Sequence, residues 1–346
     1  MKFLHTADLH IGSKFAGSPQ IAQKRQQEIL DVFMNIVDTA REERVDMLFI
    51  AGDLFDSDMV YPETVDKIIY ALGRLSCRVF ISPGNHDYYC VSSPYCTSKW
   101  PDNVHIFGSE KIECVRVEGC NTNVYGAAFL NKNIDHSLLE GFTADTDGIN
   151  VMVMHGSTLP PEGYNYLSTE EIKNSNLCYL ALGHIHEYEG VKKAGKTTYA
   201  WTGCPEGKNF GECGRKIVLL GETDGEAVSL REICVARREY AEITADCAED
   251  VFSTLKKDNI YKIVVTGEVD GGFDIQKYEE EAAKYCFDVK AVDRTTPARN
   301  VWDRENEENL LGGFLRNMRE IEDEELKNLV LKFGLAAIEG REAPKI

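Results

Sequence analysis

Short, mostly apolar runs punctuate the first 186 residues at 3–4, 47–51, 78–81, 150–154 and 179–182. Runs too short for helices that do not alternate with polar residues fit strands buried on both faces. Between them apolar residues return at helical spacing. Ile29, Leu30, Phe33, Ile36 and Val37 predict a helix over 21–43, with another expected over 63–75 and a short one over 170–175. Further strands are expected at 111–117, 123–128, 197–201 and 216–221. Buried strands alternating with helices define an α/β pattern.

Past residue 238 the order becomes strand 239–244, helix 248–257, strand 261–268, helix 273–285 and strand 287–293, a small α/β unit of its own. Gly271-Gly272 is expected to be a turn, because it lacks the spacing and following Lys of a phosphate loop. From Asn306 to Glu339, Leu310, Leu311, Phe314, Leu315, Leu326, Leu329, Val330, Phe333 and Leu335 recur at helical intervals, which predicts a helix pair. Its apolar face either packs on its own domain or docks a partner. The 346 residues exceed the roughly 250–300 at which one core stops growing. The expected division is a main domain over 1–237, a small α/β domain over 238–298 and a helical tail over 299–346.

No apolar run approaches the ~18 residues that cross a bilayer, and the start carries no secretory pattern. Eleven cysteines without paired-knuckle spacing fit reduced thiols, so a soluble, cytoplasmic protein is expected. The net charge of −19 opposes general affinity for nucleic acid. Lys24-Arg25, Arg215-Lys216 and Lys192-Lys193 with Lys196 are the clusters able to line a polyanion track, although each is also an ordinary solvated face.

Candidate chemistry follows the five runs. Each ends in a loop bearing His, Asp or Asn: Asp8-Leu-His10, Gly52-Asp53-Leu-Phe-Asp56, Gly84-Asn85-His86-Asp87, His155-Gly156 and Gly183-His184-Ile-His186. Any one of these is an ordinary turn or loop. Together they hold five of the eight histidines, each at a strand end, and successive strand-end loops converge on one rim of a sheet. The donors are nitrogen and oxygen without thiolate, which suits Mn, Fe or Zn rather than a closed structural zinc site. There are too many donors for one tetrahedral ion. Two ions sharing a carboxylate fit better, and phosphate ester hydrolysis is their natural chemistry. His86 is placed to protonate a leaving group, with Asp87 expected to orient or charge its ring. His5, His105 and His136 lack such neighbours and are expected to be structural.

The order D-x-H, G-D-x-x-D, G-N-H-D, H-G, G-H-x-H resembles the calcineurin-like metallophosphoesterases. Within that superfamily the segments 3–12, 52–57 and 203–212 followed by Lys216 resemble SbcD-type DNA-repair exonucleases, relatives of the eukaryotic Mre nuclease. The resemblance implies two sheets packed face to face with helices outside, a four-layer β-sandwich, with the 238–298 unit as a capping domain. It also implies that Asp8, His10 and His186 hold one divalent ion, that Asn85, His155 and His184 hold a second, and that Asp53 bridges them. His86 is then the catalytic residue. Asp56 stays outside this set, as either an acceptor behind a ligand or a turn residue. The implied ion is Mn2+, with Fe, Zn or Mg as alternatives. The implied activity is exonucleolytic DNA cleavage, with endonuclease cleavage as an alternative, in repair with an SbcC-like coiled-coil ATPase docked on the helical tail. A homodimer formed near the second and third motifs belongs to the same resemblance. A phosphoesterase for small esters or proteins and a non-catalytic scaffold are the other readings. Protein phosphatases of the superfamily place Arg-Gly where this chain has Ser57-Asp58, which counts against that branch.

Overall fold

The computed structural model describes residues 1–15, 18–57, 59–145, 147–159, 163–269, 273–338 and 340. Asp58, the expected turn at Gly271-Gly272 and the end of the tail at Glu339 lie outside the described residues. The chain divides into two compact units, 1–208 with 215–237, and 209–214 with 238–346.

The first unit is built on two six-stranded sheets. One contains β1 (Lys2–Thr6), β2 (Met47–Ile50), β3 (Arg78–Ile81) and β4 (Val104–Ile106), all parallel. Antiparallel β11 (Ile217–Thr223) and β12 (Val228–Cys234) extend it beyond β1. In the other, β6 (Thr122–Gly126), β7 (Ile149–His155), β8 (Tyr179–Gly183) and β10 (Thr197–Trp201) are parallel. Antiparallel β5 (Glu113–Val117) and β9 (Lys192–Ala194) form its edges.

Two-sided burial explains the unbroken apolar runs. Phe3, Met47, Phe49 and Phe80 pack inward against Val151, Val153, Tyr179 and Ala181 of the facing sheet. Their neighbours Leu4, Leu48, Ile50, Val79 and Ile81 point outward beneath α1 (Pro19–Glu42) and α2 (Pro62–Gly73). On the far side Met152, Met154, Leu180, Leu182 and Trp201 pack against Ile172 of α4 (Thr169–Asn174) and the loop residues Phe129, Leu138 and Leu139. A short helix α3 (Pro94–Thr97) precedes β4. The result is the expected four-layer α/β arrangement. Helix starts are marked by chemistry: Ser18 caps α1 ahead of Pro19, and Ser168 with Glu171 forms a capping box on α4.

In the second unit β13 (Tyr240–Asp246), β14 (Ile260–Thr266) and β16 (Asp288–Asp293) form a parallel sheet. Helix α5 (Ile275–Ala282) contributes Ala282 and Tyr278 to the core on Tyr261, Ile263 and Val265. The helix expected over 248–257 does not form. Only a 3-10 turn, Phe252–Thr254, is present. Asp246 Oδ1 accepts from the Ala248 N–H at 2.9 Å and Asp250 Oδ1 from the Phe252 N–H at 3.1 Å, local bonds that compete with a helical ladder. A two-stranded pair, β15 (Glu268–Val269) and β17 (Thr296–Pro297), precedes α6 (Leu310–Met318) and α7 (Glu324–Ile338). These helices share a small core of Leu311, Leu315, Leu331 and Leu335 with Val301. Lys332 Nζ donates to Asp293 Oδ1 at 2.7 Å, tying α7 to β16.

Candidate active site

The candidate residues all lie at the carboxyl ends of parallel strands: Asp8 and His10 after β1, Asp53 after β2, Asn85 and His86 after β3, His155 at the end of β7, and His184 and His186 after β8. The turns that leave these strands are tight. Asp8, His10, Asp53 and His184 adopt left-handed backbone conformations, with φ of 54°, 49°, 49° and 102°. Such conformations cost about 1–3 kcal/mol each and persist where surrounding bonds fix them. The Asp8 N–H donates to Gly52 O at 3.0 Å, the His10 N–H to Asp53 O at 2.9 Å and the Ile11 N–H to Leu54 O at 2.9 Å, zipping the first two loops together. The His184 N–H donates to both carboxylate oxygens of Asp8, at 3.0 and 3.1 Å.

The glycines of two motifs mark where side chains from other loops press in. A Cβ on Gly52 would sit 2.1 Å from His155 Nδ1, and one on Gly84 would sit 2.2 Å from Asp53 Oδ1. Only glycine leaves that space.

Asp8, His10, Asp53 and His155 are buried, Asn85, His184 and His186 are half-buried, and His86 is exposed. His10 Nε2 lies 3.0 Å from His186 Nε2. Asn85 Oδ1 lies 2.9 Å from His155 Nε2 and 3.3 Å from His184 Nδ1. Asp53 Oδ2 stands between these groups, 3.6 Å from His10 Nε2 and 3.6 Å from His155 Nε2. Its other oxygen accepts from the His86 N–H at 3.0 Å. Potential ligand atoms of Asp8, His10 and His186, and of Asp8, Asp53 and His155, fall within 4.8 Å of one another.

Tautomers follow from the outer partners. Ala51 O can only accept, so His155 Nδ1, 3.0 Å away, carries the hydrogen and its Nε2 lone pair faces inward. His10 Nδ1 likewise donates to Asp56 Oδ1 at 3.1 Å, leaving its Nε2 lone pair inward. Lone pairs of imidazole, amide and carboxylate therefore converge without hydrogens to share. That donor set fits divalent ions of the Mn, Fe or Zn type.

Protonation states agree with this. Burial lowers His10 below its ordinary value against the opposing pull of Asp56 and Asp53. Burial, aided by His155, lowers His184 to about 3. Burial pushes Asp53 upward, yet His155, His10 and His86 outweigh it and hold the carboxyl below its usual range. The downward shifts of His10 and His184 beside an ionised Asp53 favour the forms that bind metal.

Two expectations need correction. Asp87 does not serve the His86 ring: it is buried beneath the loop, where it accepts from the Gly84 N–H at 2.8 Å, the Phe55 N–H at 3.1 Å and the Tyr95 hydroxyl at 2.5 Å. Burial raises it to about 6. His86 Nδ1 instead meets the Asp56 carbonyl at 3.2 Å. Second, Arg25 and Lys216 are buried, at 1% and 5% exposure, so neither is a surface cation on a polyanion track. Asp56, left open as either an acceptor behind a ligand or a turn residue, accepts from His10. The sequence reading missed Asn165, whose Nδ2 donates to His155 O at 2.8 Å, since no spacing rule points to it. His5 is buried, with Nδ1 2.9 Å from the Tyr179 hydroxyl.

A model of the calcineurin-like phosphoesterase family matches residues 1–188, more than half of the chain. The chain belongs to that family, whose fold uses a dinuclear divalent-metal site. It is 27% identical over 284 residues to the uncharacterized metallophosphoesterase YhaO of Bacillus subtilis, covering 74% of this chain and 69% of that protein. It is 25% identical over 280 residues to the SbcD component of the nuclease SbcCD of Bacillus subtilis, covering 68% and 70%. With the DNA double-strand break repair protein Mre11 of Methanosarcina acetivorans it shares 24% over 312 residues, covering 84% of this chain and 49% of that protein.

Proposed function

We propose that the chain is a metal-dependent DNA nuclease that hydrolyses phosphodiester bonds with two Mn2+ ions. The observation that carries the two-ion part is the position of Asp53 Oδ2, 3.6 Å from an imidazole of each donor group. Asp8, His10 and His186 would hold one ion and Asn85, His155 and His184 the other, with the Asp53 carboxylate shared between them. Bound there, the ions lower the pKa of an attacking water and neutralise phosphoryl charge. The chain's own residues do the rest. Asp56 and the Ala51 carbonyl hold His10 and His155 with their lone pairs inward. His86, exposed and anchored through Nδ1, presents Nε2 to protonate the leaving oxygen.

DNA as substrate is supported by the similarity to the SbcD component and to Mre11. Docking of an SbcC-like ATPase on the tail is supported by Leu310, Leu326 and Leu329, which stay 74%, 49% and 41% exposed on α6 and α7. Self-association near the second and third loops is supported by exposed Met59, Tyr61 and Val91. A second reading, a phosphoesterase for a small ester, draws support from the charge of −19 and the burial of Arg25 and Lys216.

The test is hydrolysis of end-labelled duplex and single-stranded DNA with Mn2+, Mg2+, Zn2+ or no metal, beside bis-p-nitrophenyl phosphate. Mn2+-dependent shortening of DNA is the expected result. Cleavage of the small diester with DNA untouched, even after an SbcC-like ATPase is added, would favour the second reading.

A further inference from the structure

Arg25 of α1 is a buried cation outside the ligand loops, 1% exposed. Its Nη1 lies 2.7 Å from Glu28 Oε2 and 2.7 Å from Glu206 Oε1, and its Nη2 donates to Gly207 O at 2.8 Å. Glu206 is itself buried and accepts from the Arg237 N–H at 2.7 Å. These contacts fix the buried segment 203–207 to the helix. The same segment supports His186. The Cys204 N–H donates to His186 O at 3.1 Å, and a Cβ on Gly203 would lie 2.7 Å from that oxygen, so the two backbones are in direct contact.

Such a cluster is a poor device for stability. Burying an arginine with two carboxylates costs desolvation that apolar residues of the same volume avoid. What the guanidinium does supply is direction, because its planar fork holds two acceptors at once in a fixed relation. We propose that Arg25 is a positioning residue for His186. Acting through Glu206 and Gly207, it holds the loop that backs the His186 carbonyl and thereby sets the imidazole against His10. The inference rests on the two-ion reading above. Partners that orient a metal ligand typically control affinity by about 10–100-fold, so the effect should fall on the ion held by Asp8, His10 and His186. In the other donor group Asn85 and His155 are built on other loops, and His184, although on the same loop as His186, has its own N–H fixed on Asp8.

The experiment is calorimetric titration of Mn2+ into the metal-free full-length chain, with thermal unfolding followed in parallel. Two variants are compared with the unaltered chain. Arg25→Lys keeps the charge and loses the fork. Arg25→Met combined with Glu28→Gln and Glu206→Gln removes the buried charges together, so no carboxylate is left stranded. The unaltered chain should bind two Mn2+. In each folded variant one site should weaken by about 10–100-fold while the other is unchanged, and kcat should fall with KM preserved. Two undiminished sites in a folded variant would overturn the proposal, as would equal weakening of both. If the triple variant fails to fold, Arg25→Lys alone decides. An unaltered chain that binds no Mn2+ would instead overturn the two-ion reading, and this inference with it.

Discussion

His86 differs from the seven residues around it in being exposed while its backbone is fixed by Asp53. Its Nδ1 is anchored on a carbonyl, and although a ring nitrogen lies within 4.8 Å of ligand atoms of His10 and Asp53, the ring stands outside the proposed ligand set. Removing the ring should therefore leave the ion sites intact and remove only the proton donor. His86→Ala is expected to bind two Mn2+ per chain and to lose about 10²–10⁴-fold in kcat on a diester with a poor leaving group. Metal content by mass spectrometry and steady-state kinetics check this, and retained turnover would contradict the assigned role. A second histidine makes a prediction about stability. Burial, opposed only by a backbone bond to Leu182, lowers His5 to about 3. Between that value and the ordinary one near 6.5 the unfolded chain binds a proton that the folded chain refuses. Stability contributed by neutral His5 is thus present above pH 6.5 and is lost as the pH falls toward 3. Relative to His5→Gln, the metal-free chain should lose up to about tenfold more in its folding equilibrium per pH unit across that window, read by denaturant unfolding. Parallel curves would show that His5 does not bear this cost.

At the level of elements, strands buried on both faces were legible because their runs are continuous and end in loops with distinctive polar residues. That pattern located β1, β2, β3, β7 and β8, and with them the convergence of the candidate site. Of the edge strands of the two large sheets, only β5 was legible, over 111–117. Lys192–Ala194 and Val104–Ile106 are three residues long, and Val228–Cys234 mixes exposed Ser229, Arg231 and Glu232 with half-buried neighbours, so it shows no apolar run. The segment over 248–257 has helical spacing in its apolar residues, yet Asp246 and Asp250 divert the backbone donors that a helix needs. Within the site, the residue types and strand-end positions were readable. The partners that aim them were not: Ala51 acts through its carbonyl, Asp56 through a choice of neighbour, and Arg25 through residues far away in sequence. Those relations exist only once the two sheets are packed.

Taken whole, the DNA substrate proposed above would set a polyanion against a strongly acidic chain. Non-specific affinity for DNA comes mainly from Lys and Arg, and here the net charge is −19 with Arg25 and Lys216 withdrawn into the interior. Among the described residues no helix is long and apolar enough to cross a membrane. Positive charge at the substrate must then come largely from ions bound at the site, or from a partner on the uncovered face of the tail helices. The proposed hydrolysis therefore depends on a dinuclear centre sharing Asp53. The most direct measurement is anomalous X-ray diffraction from crystals grown with Mn2+. Two peaks roughly 3.5–4 Å apart, one beside His10 and His186 and one beside Asn85, His155 and His184, with Asp53 between them, are the predicted result. A single peak, or peaks away from these residues, would contradict it.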